Sequence, residues 1–470
     1  MGLESPKHEC GVVGIYSPGY PVSKDLYYGL IALQNRGQEG SGQAVFDNSG
    51  CVHLRKGLGL VNSVFQQDDI DGLEGSIGVG HNRYGTTGAS SQENTQPFVL
   101  NSNLGDFAFV HNGNIFNARE LRDELKADGV NLVSTSDSEI IAQLIARYPG
   151  RTFVEKIKGV TPELKGAYSC LIATQNSLIA FKDPHGIWPL SVGRINGSGY
   201  VVASETNCID RIGGRFVKDL EGGDIVIIDH EGIGEDSLER KQSSLCSFEF
   251  YYFSDPGSAL LGRNVEEARF DMGRFMWAEH QFSADWVVSI PETARPFAEG
   301  YAYQSGIPVR SALIRNRWLG RTFIQPSQRL REAAAAMKQS VISGVVEGMT
   351  INLIDDSIVR GTTTGKVIKQ LKDAGAKEVN MLIAAPPIIS PCHYGVDTAD
   401  GSELVAARMS FDEIRESIGA DRLGYLSLES GLKAMSGRLS GKLCTSCFTG
   451  EYSMQVPEKH DKFILEGFNR

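Results

Sequence analysis

Residues 351–365, INLIDDSIVRGTTTG, decide the fold of the second half of the chain. A short apolar run predicts a buried strand, two acids mark its end, and a glycine followed by threonines begins a helix. Apolar strands and helices alternate around this stretch, which is typical of βαβ units with a mainly parallel sheet. The other predicted strands are WVVSI, VRSALI and VNMLIAA, and the predicted helices cover residues 265–280, 295–304 and 364–374. From about residue 409 onward the pattern is mixed and mostly helical.

The same stretch has the composition of an anion site. Asp355 and Asp356 lie where a parallel sheet binds its ligands, beyond the carboxyl ends of the strands. Gly361 and the threonines let backbone N–H groups and hydroxyls converge at the start of a helix. The acids can accept hydrogen bonds from ribose or place a Mg²⁺-diphosphate; the alternative is strand-end acids with a threonine cap. The basic residues 315–325 form either a solvated loop or a lid over a diphosphate, and Lys338 can add its charge.

The first half, from Cys10 to about Asp229, is rich in short strands. They are GVVGIY, SIGVGHNRY, DFAFVHNG, YSCLIAT, SLIAF, YVVAS and DIVIID. Helical periodicity predicts helices over residues 24–34 and 138–147. Consecutive strands with clustered helices predict an α+β domain of layered sheets. The polar residues 230–244 are predicted to be the linker to the second domain.

The composition is that of a globular protein, with 470 residues, 41% hydrophobic residues and a net charge of −11. The acidic balance argues against broad binding of nucleic acid or anionic membranes. No apolar run reaches the ~20 residues that cross a bilayer, and residues 1–9 lack the apolar stretch of a signal peptide. We therefore expect a soluble, cytoplasmic protein with no nucleic-acid or membrane partner.

Cys10 begins a predicted strand, and a cysteine in that position is usually a packed thiol. The alternative is an N-terminal nucleophile, which would form if residues 1–9 were removed as a propeptide. The free α-amino group, with a pKa near ~8, would then accept the thiol proton. Acyl transfer also needs donors for an oxyanion, and Asn112 and Gly113 in HNGN can supply a side-chain amide and a backbone N–H.

Two more side chains suit an amino-acid substrate. Arg83, in HNRYGTTG, has the forked donors that bind a carboxylate, and Asp137, in STSDSE, can pair with an ammonium group or can cap a helix. With CGVVGIY, LQNRGQEGSG and HNGNI, these motifs follow the order seen in class II glutamine amidotransferases. This half resembles their N-terminal-nucleophile glutaminase domain, which has αββα layers. The roles that the resemblance implies are Cys10 as the nucleophile, Asn112 and Gly113 as the oxyanion hole, Arg83 and Asp137 as glutamine ligands, and Arg36 and Gly37 as neighbours of the thiol.

DDSIVRGTT resembles the phosphoribosylpyrophosphate (PRPP) motif of type I phosphoribosyltransferases. Together the two halves resemble the glutamine PRPP amidotransferase family from Cys10 to about Gly450. The resemblance implies a propeptide at 1–9, a glutaminase domain at 10–240 and an α/β phosphoribosyltransferase domain at 241–470. Ammonia from glutamine would displace diphosphate from PRPP, giving 5-phosphoribosylamine for purine synthesis. The implied PRPP ligands are Asp355, Asp356, Ser357, Arg360, Gly361, Thr362, Thr363, Arg321 and Lys338, and the implied Mg²⁺ positions are Thr293, Asp355 and Asp356.

Four cysteines of the second half remain, namely Cys246, Cys392, Cys444 and Cys447. The pair in C-T-S-C alone is typical of a redox pair or a zinc knuckle, and four thiols suit either zinc or a [4Fe–4S] cluster. The contexts LCSFEFYYF, PPIISPC and KLCTSC resemble an iron–sulfur subgroup of the family, which typically carries a short propeptide. The resemblance therefore implies a structural [4Fe–4S] cluster.

Two stretches depart from the family pattern. Trp188, in DPHGIWPL, stands where the family has arginine, and residues 291–294, PETA, stand in place of P-D-S-[GA]. Trp188 removes a charge near the expected domain junction. The resemblance also implies purine nucleotides as feedback inhibitors and a homodimer or homotetramer.

Three alternative functions are open at this point. A transaminating sugar-phosphate synthase shares the glutaminase half, but DDSIVRGTT argues against it. A non-catalytic nucleotide sensor would have no use for the thiol, the Asn-Gly pair and the glutamine ligands. A specialised paralogue of the family would keep all of these motifs.

Overall fold

The structure is a computed structural model that describes residues 10–85, 90–315, 339–396, 401–436 and 443–457, and Leu465. The predicted propeptide, Arg321, Lys338 and nearly all of the predicted lid at 315–325 lie outside the described residues. None of the described helices is long and apolar enough to cross a membrane.

The first half forms two antiparallel sheets with helices on their outer faces. Its strands are β1 (Gly11–Tyr16), β2 (Gly40–Phe46), β3 (Val52–Leu58), β4 (Ile77–Arg83), β5 (Phe98–Ser102), β6 (Gly105–Ile115), β7 (Gly166–Ala173), β8 (Leu178–Lys182), β9 (Ser191–Ile195), β10 (Gly199–Ala203), β11 (Arg215–Asp219), β12 (Asp224–Asp229) and β13 (Gly232–Ser237). Its helices are α1 (Ser23–Ala32), α2 (Val61–Val64), α3 (Gln67–Asp71), α4 (Ala118–Ala127), α5 (Asp137–Arg147), α6 (Phe153–Val160) and α7 (Thr206–Arg211), with a 3₁₀ turn at Thr161–Glu163.

The two sheets stack through the apolar inner faces of their central strands. The strand order is β11-β9-β10-β1-β4-β2-β3 in one sheet and β13-β12-β8-β7-β6-β5 in the other. Successive side chains of a strand point to opposite faces, so Val12 packs between the sheets with Val110 while Val13 packs outward against Leu30 of α1. Phe109 packs outward from the second sheet against Ile140 of α5. This arrangement confirms the predicted αββα layers.

The second half is built around a parallel sheet. Its strands are β14 (Leu245–Cys246), β15 (Ala259–Leu260), β16 (Arg263–Asn264), β17 (Trp286–Ser289), β18 (Leu313–Arg315), β19 (Gln339–Val341), β20 (Thr350–Asp355), β21 (Glu378–Ile383), β22 (Arg422–Tyr425) and β23 (Leu443–Cys444). Its helices are α8 (Val265–Glu279), α9 (Arg295–Ser305), α10 (Ser343–Val346), α11 (Thr362–Asp373), α12 (Val405–Arg408), α13 (Phe411–Ile418), α14 (Leu428–Ala434) and α15 (Ser446–Thr449), with a π-helical turn at Glu249–Phe253. The sheet order is β17-β20-β21-β22, with every neighbour parallel, which confirms the predicted α/β class.

Three local predictions are wrong. The predicted linker at 230–244 contains β13, which pairs with β12 and extends the second sheet. The predicted strand VRSALI contributes a bridge from Val309 to Val287 and then β18, which pairs antiparallel with β19 outside the parallel sheet. The C-terminal region, expected to be mostly helical, also supplies β22 as the fourth parallel strand.

One hydrophobic core spans the junction between the two halves. Ile187 and Trp188 of the first half pack in it with Phe250 and Tyr394 of the second. Trp188 is fully buried, and its indole Nε1 donates a hydrogen bond to the Tyr394 carbonyl at 2.9 Å. The residue that replaces a family arginine therefore makes a junction contact of its own.

Candidate active sites

Cys10 lies buried at the start of β1. Its Sγ is 3.3 Å from both the backbone nitrogen and the backbone oxygen of Tyr84. The antiparallel pairing of β1 and β4 sets Gly11 opposite Asn82. Cys10 therefore lies beside Arg83, the last residue of β4, which is also buried.

Arg36 and Gly37 contact the same region, as the resemblance implied. The Arg36 Nε donates to the Cys10 carbonyl at 3.1 Å. A Cβ on Gly37 would lie 2.5 Å from the carbonyl oxygen of Asn82, so only glycine permits this close approach to β4. The LQNRGQEGSG segment thus holds the backbone of the candidate nucleophile.

Asn112 is a buried amide that faces the first sheet. Ala108 and Val110 pack between the sheets with Val12, and strand alternation puts Asn112 on that same inner face, towards the face of β1 that carries Cys10. Within the described residues, neither the Asn112 Nδ2 nor its Oδ1 has a hydrogen-bond partner. An unpaired buried polar group costs about 1–3 kcal/mol, so this amide is suited to a bound ligand.

Gly113 provides the neighbouring backbone N–H. Its φ is 144°, and a Cβ at this position would lie 2.0 Å from the Ala167 carbonyl oxygen. The strand can therefore take this path only with glycine. Asn112 and Gly113 together present the kind of donor pair that an oxyanion hole requires.

Asp137 is the first residue of α5 and lies at the end of β6. Its Oδ2 accepts a hydrogen bond from the Ile115 N–H at 3.1 Å. The cap of α5 is Ser136, whose hydroxyl accepts from the Ser138 N–H at 3.2 Å. The alternative role of Asp137 as the helix cap is therefore wrong.

The ends of β4 and β6 lie close together. Burial, together with the charges of Arg83 and His111, lowers the pKa of His81 on β4 to about 3. β4 and β6 also contact each other between the two sheets. The structure thus places Cys10 and Arg83 at the paired ends of β1 and β4, Asn112 and Gly113 on β6, and Asp137 against the end of β6.

Asp355 and Asp356 form a buried acidic pair at the end of β20. Burial raises the pKa of Asp355 well above its usual range, and the neighbouring charge of Asp356 raises it further. Burial also raises the pKa of Asp356 to about 7. The Ser357 hydroxyl donates to the Asp356 Oδ1 at 2.9 Å. Carboxylates crowded in this way are stabilised by a cation or by hydroxyl donors.

The other predicted residues of this site follow neighbouring strands. Because β17 and β20 are parallel, Thr293, four residues after β17, lies at the sheet edge that carries Asp355. Gly361 caps α11 with a φ of 79°, so Thr362 and Thr363 form the first turn of a twelve-residue helix, whose N–H groups favour an anion.

Arg360, which the resemblance implied as a PRPP ligand, has a partner within the protein. Its guanidinium donates to the Glu403 carboxylate at 2.5 Å and 3.0 Å. Both side chains are partly exposed, and an ion pair of this kind contributes about 0–1 kcal/mol. The Arg360–Glu403 ion pair therefore adds little to the stability of the fold.

The four remaining cysteines line one cavity. Parallel pairing of β14 with β23 sets Cys246 opposite Cys444, and Cys392 and Cys447 complete the lining. Burial raises the pKa of Cys246 well above its usual range, and the other three thiols raise it further. The four cysteines are thus neighbours, although they come from three separate parts of the sequence.

Three buried charged residues near the junction of the two halves were not predicted. Glu205 and Glu249 pair with Arg36 at 3.0 Å and 2.6 Å, and Arg269 is buried on α8. Glu249 is the single acid in the aromatic run FEFYYF, and an acid in such an apolar run indicates a buried cationic partner. Nothing in the sequence identifies that partner, because Arg36 is 213 positions away.

A model of the glutamine amidotransferase domain matches residues 81–211, and this match agrees with the class that the first site defines. The amidophosphoribosyltransferase of Methanocaldococcus jannaschii is 43% identical over 95% of this chain and 98% of its own. The chain is also similar to a solved structure of glutamine PRPP amidotransferase from B. subtilis complexed with ADP and GMP. That protein is 42% identical, with a TM-score of 0.89 over 96% of this chain and 98% of its own. A second structure, described as the allosteric regulatory enzyme of purine biosynthesis, has the same identity and TM-score over 96% and 97% of the chains.

This chain belongs to the amidophosphoribosyltransferase family. The comparison with the M. jannaschii protein is sufficient to show this membership, because the two sequences are 43% identical over almost all of both chains. Membership of this family confirms the predicted fold, function and enzyme class. The iron–sulfur subgroup and the individual site residues stay predictions.

Proposed function

We propose that the protein transfers the amide nitrogen of glutamine to PRPP, giving 5-phosphoribosylamine, glutamate and diphosphate. The reaction is the first step of de novo purine synthesis. The observation that carries this proposal is the unpaired, buried amide of Asn112 on the inner face towards Cys10. A substrate oxyanion would give this amide the hydrogen-bond partner that it lacks.

At the first site, the Cys10 thiolate attacks the side-chain carbonyl carbon of glutamine. Asn112 and Gly113 donate hydrogen bonds to the oxyanion as the C–S bond forms. Collapse expels the nitrogen as ammonia and leaves a thioester, which water cleaves to glutamate and the free thiol. The α-amino group exposed by removal of residues 1–9 accepts and returns the thiol proton. Arg83 and Asp137 hold the carboxylate and the ammonium group of glutamine.

At the second site, ammonia forms a bond to C1 of PRPP while the bond from C1 to the diphosphate oxygen breaks. The first turn of α11 and the Ser357 hydroxyl hold phosphate and ribose groups, and Asp355 and Asp356 hold the ribose side of the ligand. Thr293, Asp355 and Asp356 would hold Mg²⁺, which neutralises diphosphate charge when bound. The buried acidic pair fits a divalent cation, because burial and the charge of Asp356 raise the cost of ionising Asp355.

The proposal predicts a fixed stoichiometry. Protein incubated with glutamine, PRPP and Mg²⁺ should release glutamate and diphosphate in equal amounts, and diphosphate release should also proceed with ammonia in place of glutamine. We would measure both products enzymatically over time. Equal rates support the proposal, whereas glutamate without diphosphate would leave only a glutaminase.

We also propose that Cys246, Cys392, Cys444 and Cys447 hold a [4Fe–4S] cluster. Ile187, Trp188, Phe248, Ile388 and Val396 make most of the remaining cavity wall apolar, which fits a group held by sulfur. Among the described residues, no group of three or more His, Cys, Asp and Glu is placed to hold a metal ion directly, so the proposal rests on the four thiols that share one cavity.

Replacing Cys392 with alanine is expected to remove the cluster, because one of four thiolates is lost. Iron and acid-labile sulfide should fall from about four each per chain to near zero, and the melting temperature should drop. The matched control is Cys51→Ala, since Cys51 is an exposed cysteine outside the cavity. Stoichiometric zinc without sulfide in the wild-type protein would contradict the proposal.

Four properties complete the proposal. Purine nucleotides act as feedback inhibitors, which the ADP and GMP in one similar structure and the allosteric description of the other support. The protein acts in the cytoplasm, as a homodimer or homotetramer, after loss of residues 1–9. The specialised-paralogue alternative differs from this proposal only in where the product is used.

A further inference from the structure

We propose that Asn114 and Trp188, two side chains of the first half, position Cys392 of the second half as a ligand of the cluster. They are positioning residues, because each binds the backbone that follows Cys392 and neither supplies a ligand atom. The inference rests on the proposed [4Fe–4S] cluster and uses no step of the proposed reaction.

Asn114 holds the peptide unit next to Cys392. Asn114 is buried near the end of β6, and its Nδ2 donates to the His393 carbonyl at 3.0 Å. The N–H of the same peptide unit belongs to Tyr394, and it donates to the Cys392 Sγ at 3.4 Å. Because a peptide unit is planar, the bond from Asn114 fixes the plane from which the N–H reaches the sulfur.

Trp188 holds the other side of Tyr394. Its indole Nε1 donates to the Tyr394 carbonyl at 2.9 Å, and its own carbonyl accepts from the Ser169 hydroxyl of β7 at 3.0 Å. The indole is fully buried and lines the cysteine cavity. Both peptide units of Tyr394 are therefore held by donors from the first half, which leaves its N–H little freedom to turn away from Cys392.

A third contact joins the same part of the first half to another cysteine. Ile187 precedes Trp188, and its carbonyl accepts from the Cys246 N–H at 2.9 Å. Two successive residues of the first half thus contact two of the three segments that carry the cysteines. Docking of the first half therefore helps to fix Cys246 and Cys392 relative to each other.

The hydrogen bond to the Cys392 sulfur bears directly on a bound cluster. Hydrogen bonds to the ligand sulfurs and burial set the electronic properties of an iron–sulfur cluster. Groups that orient a ligand typically change metal affinity by about 10- to 100-fold. Hydrogen bonds in series strengthen one another, so loss of the bond from Asn114 should weaken the N–H···S bond from Tyr394.

Trp188 is also the residue that departs from the family pattern. An arginine buried in this apolar wall would need a partner for its charge. An indole instead adds apolar area and keeps one N–H donor. Through Trp188 the first half therefore supplies the cavity with a wall and the Tyr394 carbonyl with a donor, without adding a charge.

The test compares the rate of cluster loss in full-length protein that is reconstituted without oxygen. We would add an iron chelator and follow the visible absorbance of the cluster, with iron and sulfide measured at the start. Trp188→Phe keeps an aromatic ring in the wall but removes the donor, and Asn114→Ala removes the other donor. Each variant should lose the cluster about 5-fold faster than wild type, the equivalent of one ordinary hydrogen bond.

The Fe–S(Cys) stretching bands of the resonance Raman spectrum report on the ligand sulfurs themselves. Both variants should shift these bands in the same direction, because both weaken the N–H···S bond to Cys392. Phenylalanine would preserve a role of Trp188 that consisted only of filling the wall, and the bands would then stay in place.

The matched control is Trp277→Phe. Trp277 packs against the same junction core, edge-on to the ring of Tyr301 at 5.4 Å between centroids, and it lies outside the lining of the cysteine cavity. This variant should match wild type both in the rate of cluster loss and in the Raman bands. Circular dichroism shows whether each variant is folded.

The outcomes separate the positioning role from the proposals on which it rests. Wild-type protein that binds zinc without sulfide contradicts the cluster, and failure of glutamine-dependent diphosphate release contradicts the proposed reaction. A wild-type rate of cluster loss with unshifted bands in Trp188→Phe and Asn114→Ala overturns the positioning role alone. Asn114→Ala keeps the test decisive if Trp188→Phe does not fold.

Discussion

Replacing Cys10 with alanine is expected to abolish glutamine-dependent synthesis of 5-phosphoribosylamine while leaving ammonia-dependent synthesis unchanged. The thiol forms the acyl bond, so its loss should lower the glutamine-dependent kcat by roughly 10³-fold or more. Added ammonia enters the reaction after that step and needs only the second site. The measurement is the rate of diphosphate release with each nitrogen source, at saturating PRPP.

The matched control for Cys10→Ala is Cys208→Ala. Cys208 is another fully buried thiol of the first half, and it packs against α1 outside the candidate site. This variant should keep both activities. If Cys10→Ala retained glutamine-dependent synthesis, the nucleophile would have to be another group and the assignment of the first site would be wrong.

Replacing Asp356 with asparagine is expected to have the opposite pattern. The rate of diphosphate release should fall by about 10²- to 10³-fold with glutamine and with ammonia alike, because the second site loses a charge that it needs to hold its ligand and a divalent cation. Glutamate release without PRPP should continue, since Cys10 is intact. The measurement compares diphosphate release and glutamate release in the same preparation.

Stability distinguishes this loss of function from misfolding. Burial raises the pKa of Asp356 to about 7, so the folded state binds this proton more tightly than the unfolded chain does. Ionisation of the group therefore costs the folded protein stability as the pH rises from about 4 through 7. Asparagine carries no charge, so Asp356→Asn should melt at the same or a higher temperature than wild type at pH 8 in the absence of Mg²⁺.

The matched control for activity is Asp373→Asn, because Asp373 is an exposed acid of α11. This variant should keep both activities. A wild-type rate of diphosphate release in Asp356→Asn would contradict the assignment of the second site.

Strong local patterns predicted most of the fold. The runs GVVGIY and DIVIID coincide with β1 and β12, because continuous apolar residues suit strands buried between layers. β13 was missed because its residues are polar and mostly exposed at the sheet edge. They therefore lack the alternation of apolar and polar residues that indicates a strand. β22 was missed because four residues, RLGY, carry too little periodicity to show a strand.

The sequence predicted candidate residues of the first site but not the contacts between them. Motif order predicted the roles of Cys10, Arg83, Asn112, Gly113 and Asp137, and these roles stay predictions. The structure places the first four on β4, β6 and the start of β1, and Asp137 at the start of α5. The contact of Cys10 with Tyr84 depends on the register of β1 and β4, which the sequence does not specify. The pairing of Arg36 with Glu249 depends on how the halves dock, and no local pattern carries that information.

The central claim is that nitrogen released at Cys10 is used at Asp355 and Asp356 within one protein. The most direct test extends the stoichiometry assay with amide-¹⁵N glutamine, PRPP and Mg²⁺ in an excess of unlabelled ammonium, followed by mass spectrometry of the trapped amine product. The account predicts a product whose ¹⁵N content stays close to that of the glutamine. A product with the isotope composition of the bulk ammonium would contradict it.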